Sequence, residues 1–182
     1  MDKVVVFLRG VNMAGHNKIK MADLQRLFVK LGYKDATTYI QSGNVVFTAG
    51  TGESPEALED KIRNAIKMEF SLDIVSMIRT ASEMEAIIKS NPYIPGQNAD
   101  PSKVATLILK HRPGNEQVAR MDDVNYPPDK FFISGKEIFI YCPDGFGKTK
   151  LYTNFFENRM KVSGTARNWN SITILAQMAK KE

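Results

Sequence analysis

The stretch "TYIQSGNVVF" (Thr38–Phe47) decides how this chain is read. Aromatic and β-branched residues flank a polar tip, Gln41-Ser42-Gly43-Asn44, a pattern of strand, tight turn and strand. A hairpin sets antiparallel strands side by side. That favours an α+β fold over the alternative, an open α/β sheet.

Working back from the hairpin, "MADLQRLFVKLG" has apolar residues at Met21, Leu24, Leu27, Phe28 and Leu31. This is helical spacing, closed by Gly32. Before it, Lys3–Leu8 is a β-branched run suited to a buried strand, followed by a polar loop, "RGVNMAGHNKIK". Beyond the hairpin, Ser54 and Pro55 mark the start of a helix whose face is Leu58, Ile62, Ala65, Ile66 and Phe70. "DIVSMIR" (Asp73–Arg79) alternates as a strand, and "TASEMEAIIKS" adds a helix.

The first half therefore spells β-α-β-β-α-β, the split-βαβ or ferredoxin-like unit. The second half repeats this order in part. "KVATLILK" reads as a strand and "NEQVARMDD" as a short helix. "DKFFISGKEIFIYC" reads as a hairpin turning at Ser134-Gly135-Lys136-Glu137, and "KTKLYTNFFENRM" as a helix. A last amphipathic helix, "RNWNSITILAQMAKK", puts Trp169, Ile172, Leu175, Ala176 and Ala179 on one face. The expectation is an α+β protein of two ferredoxin-like halves, side by side or intertwined, with antiparallel sheets. Residues 1–90 would form the first half with a connecting helix, and 103–182 the second half with the C-terminal helix. The segment 91–102, with its three prolines, would be the linker.

Composition bounds the function without naming it. The chain has 182 residues, 43% apolar and 25% charged, as in soluble globular proteins. The net charge of +5 suits anionic partners without requiring them. One cysteine, Cys142, permits no internal disulfide, and Val4–Leu8 is too short for a signal peptide or membrane span. A cytoplasmic location is expected, with no membrane partner.

Topology then points to a site. In a split-βαβ unit a right-handed crossover makes the first two strands run the same way. The end of the first strand and the hairpin tip should meet at one edge. That edge would carry Arg9, Asn12, Gln41, Ser42 and Asn44, together with His16, Lys18, Lys20 and the start of the first helix. The loop from Arg9 to Lys20 contains no acid. Cationic and amide side chains beside a helix N-terminus describe an anion site. The plain structural alternative is an ordinary loop and an ordinary turn.

Three blocks, "FLRGVNMAGHNKIKM", "LGYKDATTYIQSGNVVF" and "TARNWNSI", resemble the signature of a bacterial family known as domain of unknown function 1697. The resemblance spans nearly the whole chain, with Ala14-Gly15 where the family often has two glycines. It implies paired, intertwined ferredoxin-like halves and supplies no chemistry. It also singles out Thr165–Asn170. Structurally, Thr165 or Asn168 would cap the last helix, Trp169 would pack its first turn, and Arg167 would form a surface ion pair. Functionally, Arg167 and Asn168 would join Arg9 in a cationic pocket.

Other motifs fail on inspection. "CPDGFGKTK" has Cys142 where a phosphate loop needs its first glycine. His16 and His111 are the only histidines and no ligand spacing is present, so neither metal nor cofactor is expected. Among Phe131, Phe132, Phe139 and Tyr141, half must be core. The leading reading is a module binding a phosphate- or carboxylate-bearing ligand, such as a nucleotide or nucleic acid. Behind it stand an enzyme acting on a small anionic substrate, with His16 the only nearby base, and an interaction protein that self-associates through sheet edges.

Overall fold

Val4–Leu8 are all buried, on both faces of the strand they form, which is why a continuous apolar run rather than an alternating one encodes it. The computed structural model describes residues 3–13, 15–94 and 96–180. Ala14, Pro95 and the two residues at each terminus lie outside the described residues. Two units are distinguished, Met1–Glu85 with Leu175–Glu182, and Ala86–Ile174.

In the first unit, β1 (Lys3–Leu8), α1 (Met21–Lys30), β2 (Thr37–Tyr39), β3 (Asn44–Thr48), α2 (Pro55–Phe70) and β4 (Ser76–Thr80) follow in order. The sheet runs β2-β3-β1-β4, every pair antiparallel, which is the split-βαβ arrangement. Val4, Val6 and Leu8 on one face of β1 join Leu24, Phe28, Ile62 and Ile66 of the helices in one core. Helix α1 ends in a Schellman motif: Gly32 at φ 101° donates to Val29 O and Tyr33 donates to Phe28 O, both at 3.0 Å. Helix α2 starts at Ser54, whose hydroxyl accepts from Ala57 N, with Pro55 at the first helical position.

Strand β4 runs straight into α3 (Ala81–Ser90). The Thr80 hydroxyl accepts from Glu83 N at 3.2 Å, and the Glu83 carboxylate accepts from Thr80 N at 2.9 Å, a reciprocal capping box.

The second unit repeats the connectivity with β5 (Val104–Leu109), α4 (Asn115–Ala119), β6 (Lys130–Ser134), β7 (Glu137–Tyr141), α5 (Thr153–Met160) and β8 (Gly164–Asn168), in sheet order β6-β7-β5-β8. Leu107, Ile138, Phe156 and Met160 anchor its core. Helix α6 (Trp169–Ala179) follows β8 directly, and all five residues expected on its apolar face are buried. The Trp169 indole meets the Phe139 ring edge-on, 6.4 Å between centroids.

Three details differ from the sequence reading. Gly164–Asn168 is a strand, held by pairing with β5 from Ala105↔Asn168 to Leu109↔Gly164, although only Thr165 among its residues favours strands. Helix α5 begins at Thr153 rather than Lys148, so no helix opens directly behind "CPDGFGKTK". The two units divide within α3, and Asn91, Tyr93 and Ala99 of the proline-rich stretch are buried. Among the described residues no helix is long and apolar enough to cross a membrane, and no group of three or more His, Cys, Asp or Glu could hold a metal ion.

Candidate functional site

The antiparallel register of β1 and β3 brings the end of the first strand to the hairpin turn. Phe7 faces Asn44, and Leu8 N donates to Gly43 O at 2.8 Å. Gly43 tolerates this approach because it has no side chain. A Cβ there would lie 3.0 Å from Leu8 Cβ and 3.1 Å from Val11 Cβ, and its φ of 74° is left-handed.

The loop after β1 is folded on itself. Asn12 N donates to Asn17 O, the Asn17 amide donates to Gly10 O, and Met13 bridges His16. Asn12 fastens this loop to its surroundings. Its Nδ2 donates to Ile19 O at 2.8 Å and to Gln41 O at 2.9 Å, and its Oδ1 accepts from Ile19 N at 2.9 Å. The side chain thus ties the loop, the lead into α1 and the hairpin turn together. His16, Lys18, Lys20 and Gln41 are exposed at this rim, while Arg9 and Ser42 are half-buried. The only acid in the first turn of α1, Asp23, is paired with Arg26.

The turn itself spans Ile40–Gly43, one residue earlier than the polar letters suggest. Asn44 belongs to β3 and is fully buried, its amide donating to Tyr39 O and Ser42 Oγ. It shapes the turn from beneath. Ile40 adopts φ 48°, a conformation β-branched residues avoid, and is 46% exposed.

Arg167 and Asn168 lie in the second unit, at the end of β8. Arg167 is buried in the strand opposite Thr106 and so does not lie at the surface as expected. Its guanidinium donates to Thr165 Oγ1 at 2.7 Å and to Ala166 O at 2.9 Å. Burial pushes it down to about 10, which leaves it charged at neutral pH. Asn168 is the cap of α6, its Oδ1 accepting from Ser171 N at 2.7 Å. Arg79 occupies the matching fourth position of β4, is likewise buried and donates to the preceding carbonyl, Ile78 O. Sequence reasoning missed Arg79, although Arg79-Thr80 precedes α3 as Arg167-Asn168 precedes α6.

A family model described as a protein of unknown function, DUF1697, matches residues 1–139. The chain belongs to the DUF1697 family. Within this DUF1697 protein the matched span contains the whole rim, from Arg9 to Asn44, and stops short of Arg167 and Asn168. The fold is similar to that of conserved bacterial protein SP0830 from Streptococcus pneumoniae. The TM-score is 0.77 at 21% identity, over 98% of this chain and 99% of that one. At that identity the likeness is one of fold. No curated protein matches the DUF1697 chain.

Proposed function

We propose that this protein binds a phosphate- or carboxylate-bearing ligand, such as a nucleotide or nucleic acid, at the rim where the Arg9–Lys20 loop meets the Ile40–Gly43 turn. The observation that carries the reading is the Asn12 clasp, which ties an acid-free, cation-bearing loop to Ile19 and to the turn at Gln41. A segment tied at such points loses less entropy on binding than a free one, which favours its charges acting together. Exposed Lys18 and Lys20 beside the N-terminus of α1, and the exposed Gln41 amide, supply donors for anionic oxygens. The left-handed Ile40 adds a strained backbone at the same place, a feature that clusters at binding sites.

Arg9, Asn12, Gln41 and Ser42 compose the proposed site together with Lys18 and Lys20, with Asn44 supporting the turn. Arg167 and Asn168 are assigned to β8 and the α6 cap. The lone, buried Cys142 supports action in the reducing cytoplasm. The repeated strand order supports descent from one duplicated unit.

Calorimetric titration with pyrophosphate, with ATP and with a single-stranded oligonucleotide tests the reading. Binding of at least one should weaken severalfold in the K18A/K20A double variant, whose circular dichroism should match the parent's because both side chains are exposed. A fall of about tenfold or more between about 50 and 200 mM salt would mark a polyanion, and a shallow dependence a discrete pocket. Equal affinity of the double variant and the parent for every probe, or no binding of any, would overturn it.

A further inference from the structure

The second unit contains a cleft of about 530 Å³ that none of the reasoning above uses. This is the size of small-molecule sites, which combine apolar walls with a few convergent polar groups. The walls come from Met121, Val124, Tyr126 and Phe131, and Tyr93 forms part of the lining. Two carboxylates, Asp122 and Asp129, line it against one ammonium, that of Lys130.

Tyr93 is the informative residue. It is only 3% exposed as a residue, no hydrogen bond to its hydroxyl is found among the described residues, and that hydroxyl is not one of the fully buried unpartnered atoms. A tyrosine hydroxyl with no protein partner is left to bond to water or a ligand. The main chain of Tyr93 is fixed, its N–H donating to Asn91 Oδ1 at 2.9 Å, and its ring packs against Tyr141 at 5.5 Å. Tyr93 is thus anchored by its main chain and ring where it lines the cleft. Asp129 lines the same cleft, half-buried, its backbone N–H donating to Tyr126 O and its carboxylate accepting from the Cys142 thiol. The Tyr126 ring already carries one ammonium, Lys150 Nζ, 5.1 Å from its centroid. Ring faces, carboxylates and a phenol oxygen are together the surroundings an organic cation selects.

We infer that the cleft binds a small organic amine: an ammonium held by Asp129 and the Tyr93 hydroxyl, with an apolar or aromatic body against Met121, Tyr126 and Phe131. This is independent of the anion site in the first unit.

Calorimetry or ligand-observed NMR on the full chain tests it with three probes of one shape: 2-phenylethylamine, 2-phenylethanol and 3-phenylpropionate. The amine should bind saturably, about tenfold more tightly than the alcohol, and the acid more weakly still. Asp129→Asn should remove the preference of amine over alcohol, and Tyr93→Phe should weaken the amine about threefold to tenfold. Should circular dichroism show one variant misfolded, the folded one is read alone, beside the parent's ranking of the three probes. Equal binding of amine and alcohol, no saturation by the amine below about 10 mM, or an unchanged preference in the folded carboxylate variant would overturn the inference.

Discussion

Gly43 meets two demands at once, a left-handed backbone and a van der Waals gap that Leu8 and Val11 leave no wider than a hydrogen. Gly43→Ala is therefore expected to destabilise the protein by about 2–3 kcal/mol, one part from the φ angle and the rest from overpacking. The urea midpoint should fall with little change in slope. Ile40, three residues earlier, bears the opposite burden. Its side chain is half in solvent and gains little from burial, while its φ of 48° is costly for a β-branched residue. Ile40→Asn is expected to stabilise by about 1 kcal/mol in the same measurement. The sequence made Gly43 readable as a turn glycine. It offered no sign of Ile40, because the turn starts one residue before the polar letters, where the buried Asn44 amide reaches Tyr39 O.

Between elements, the lead into α2 is tied to the segment following α1 by a charged cluster. Tyr33 OH donates to Glu53 Oε1 at 2.9 Å, and Lys61 Nζ donates to both, at 2.7 and 2.9 Å. The Lys61 ammonium holds the Glu53 carboxyl below its ordinary value against the effect of burial, helped by Gly50 N and Tyr33. Its bonds to Tyr33 and Glu53 in turn raise Lys61. The signs follow. The Glu53 contribution is present in full above its unfolded value and is lost as pH falls through the lower folded one. The Lys61 contribution is present below its unfolded value and is lost as pH rises through the higher folded one. Lys61→Met should therefore lower stability at neutral pH and flatten the acid side of a stability–pH curve measured by urea unfolding. At the other strand-to-helix junction, Asn168→Ala should cost about 1 kcal/mol through the lost α6 cap, while leaving pyrophosphate affinity unchanged.

Over the whole chain, what could be read was whatever a local pattern dictates. The hairpin of Thr38–Phe47 required antiparallel neighbours, and Ser54-Pro55 announced α2. The meeting of the Arg9 loop with the turn followed from the helical crossover that makes β1 and β2 run the same way, with the hairpin turn at the end of β2. What could not be read depended on partners distant in sequence. Gly164–Asn168 became a strand because β5 offered an unpaired side, and Arg167 was buried by that pairing. The clue available was symmetry, since a β-α-β-β-α unit ahead of "TARNWN" lacked its last strand. The stretch 91–102 has linker composition, yet Tyr93 within it is almost wholly buried. Limited chymotrypsin digestion followed by mass spectrometry should accordingly spare the bond after Tyr93 while cutting after exposed Phe132, Phe146 or Tyr152.

Trp169 is the only tryptophan, it is buried against the Phe139 edge, and it occupies the first position of α6. Light emission from this protein, excited at the red edge of indole absorption, therefore has a single origin. Its colour and its quenching report the junction of β8 and α6, and an event confined to the first sheet passes unseen unless it reaches that one ring.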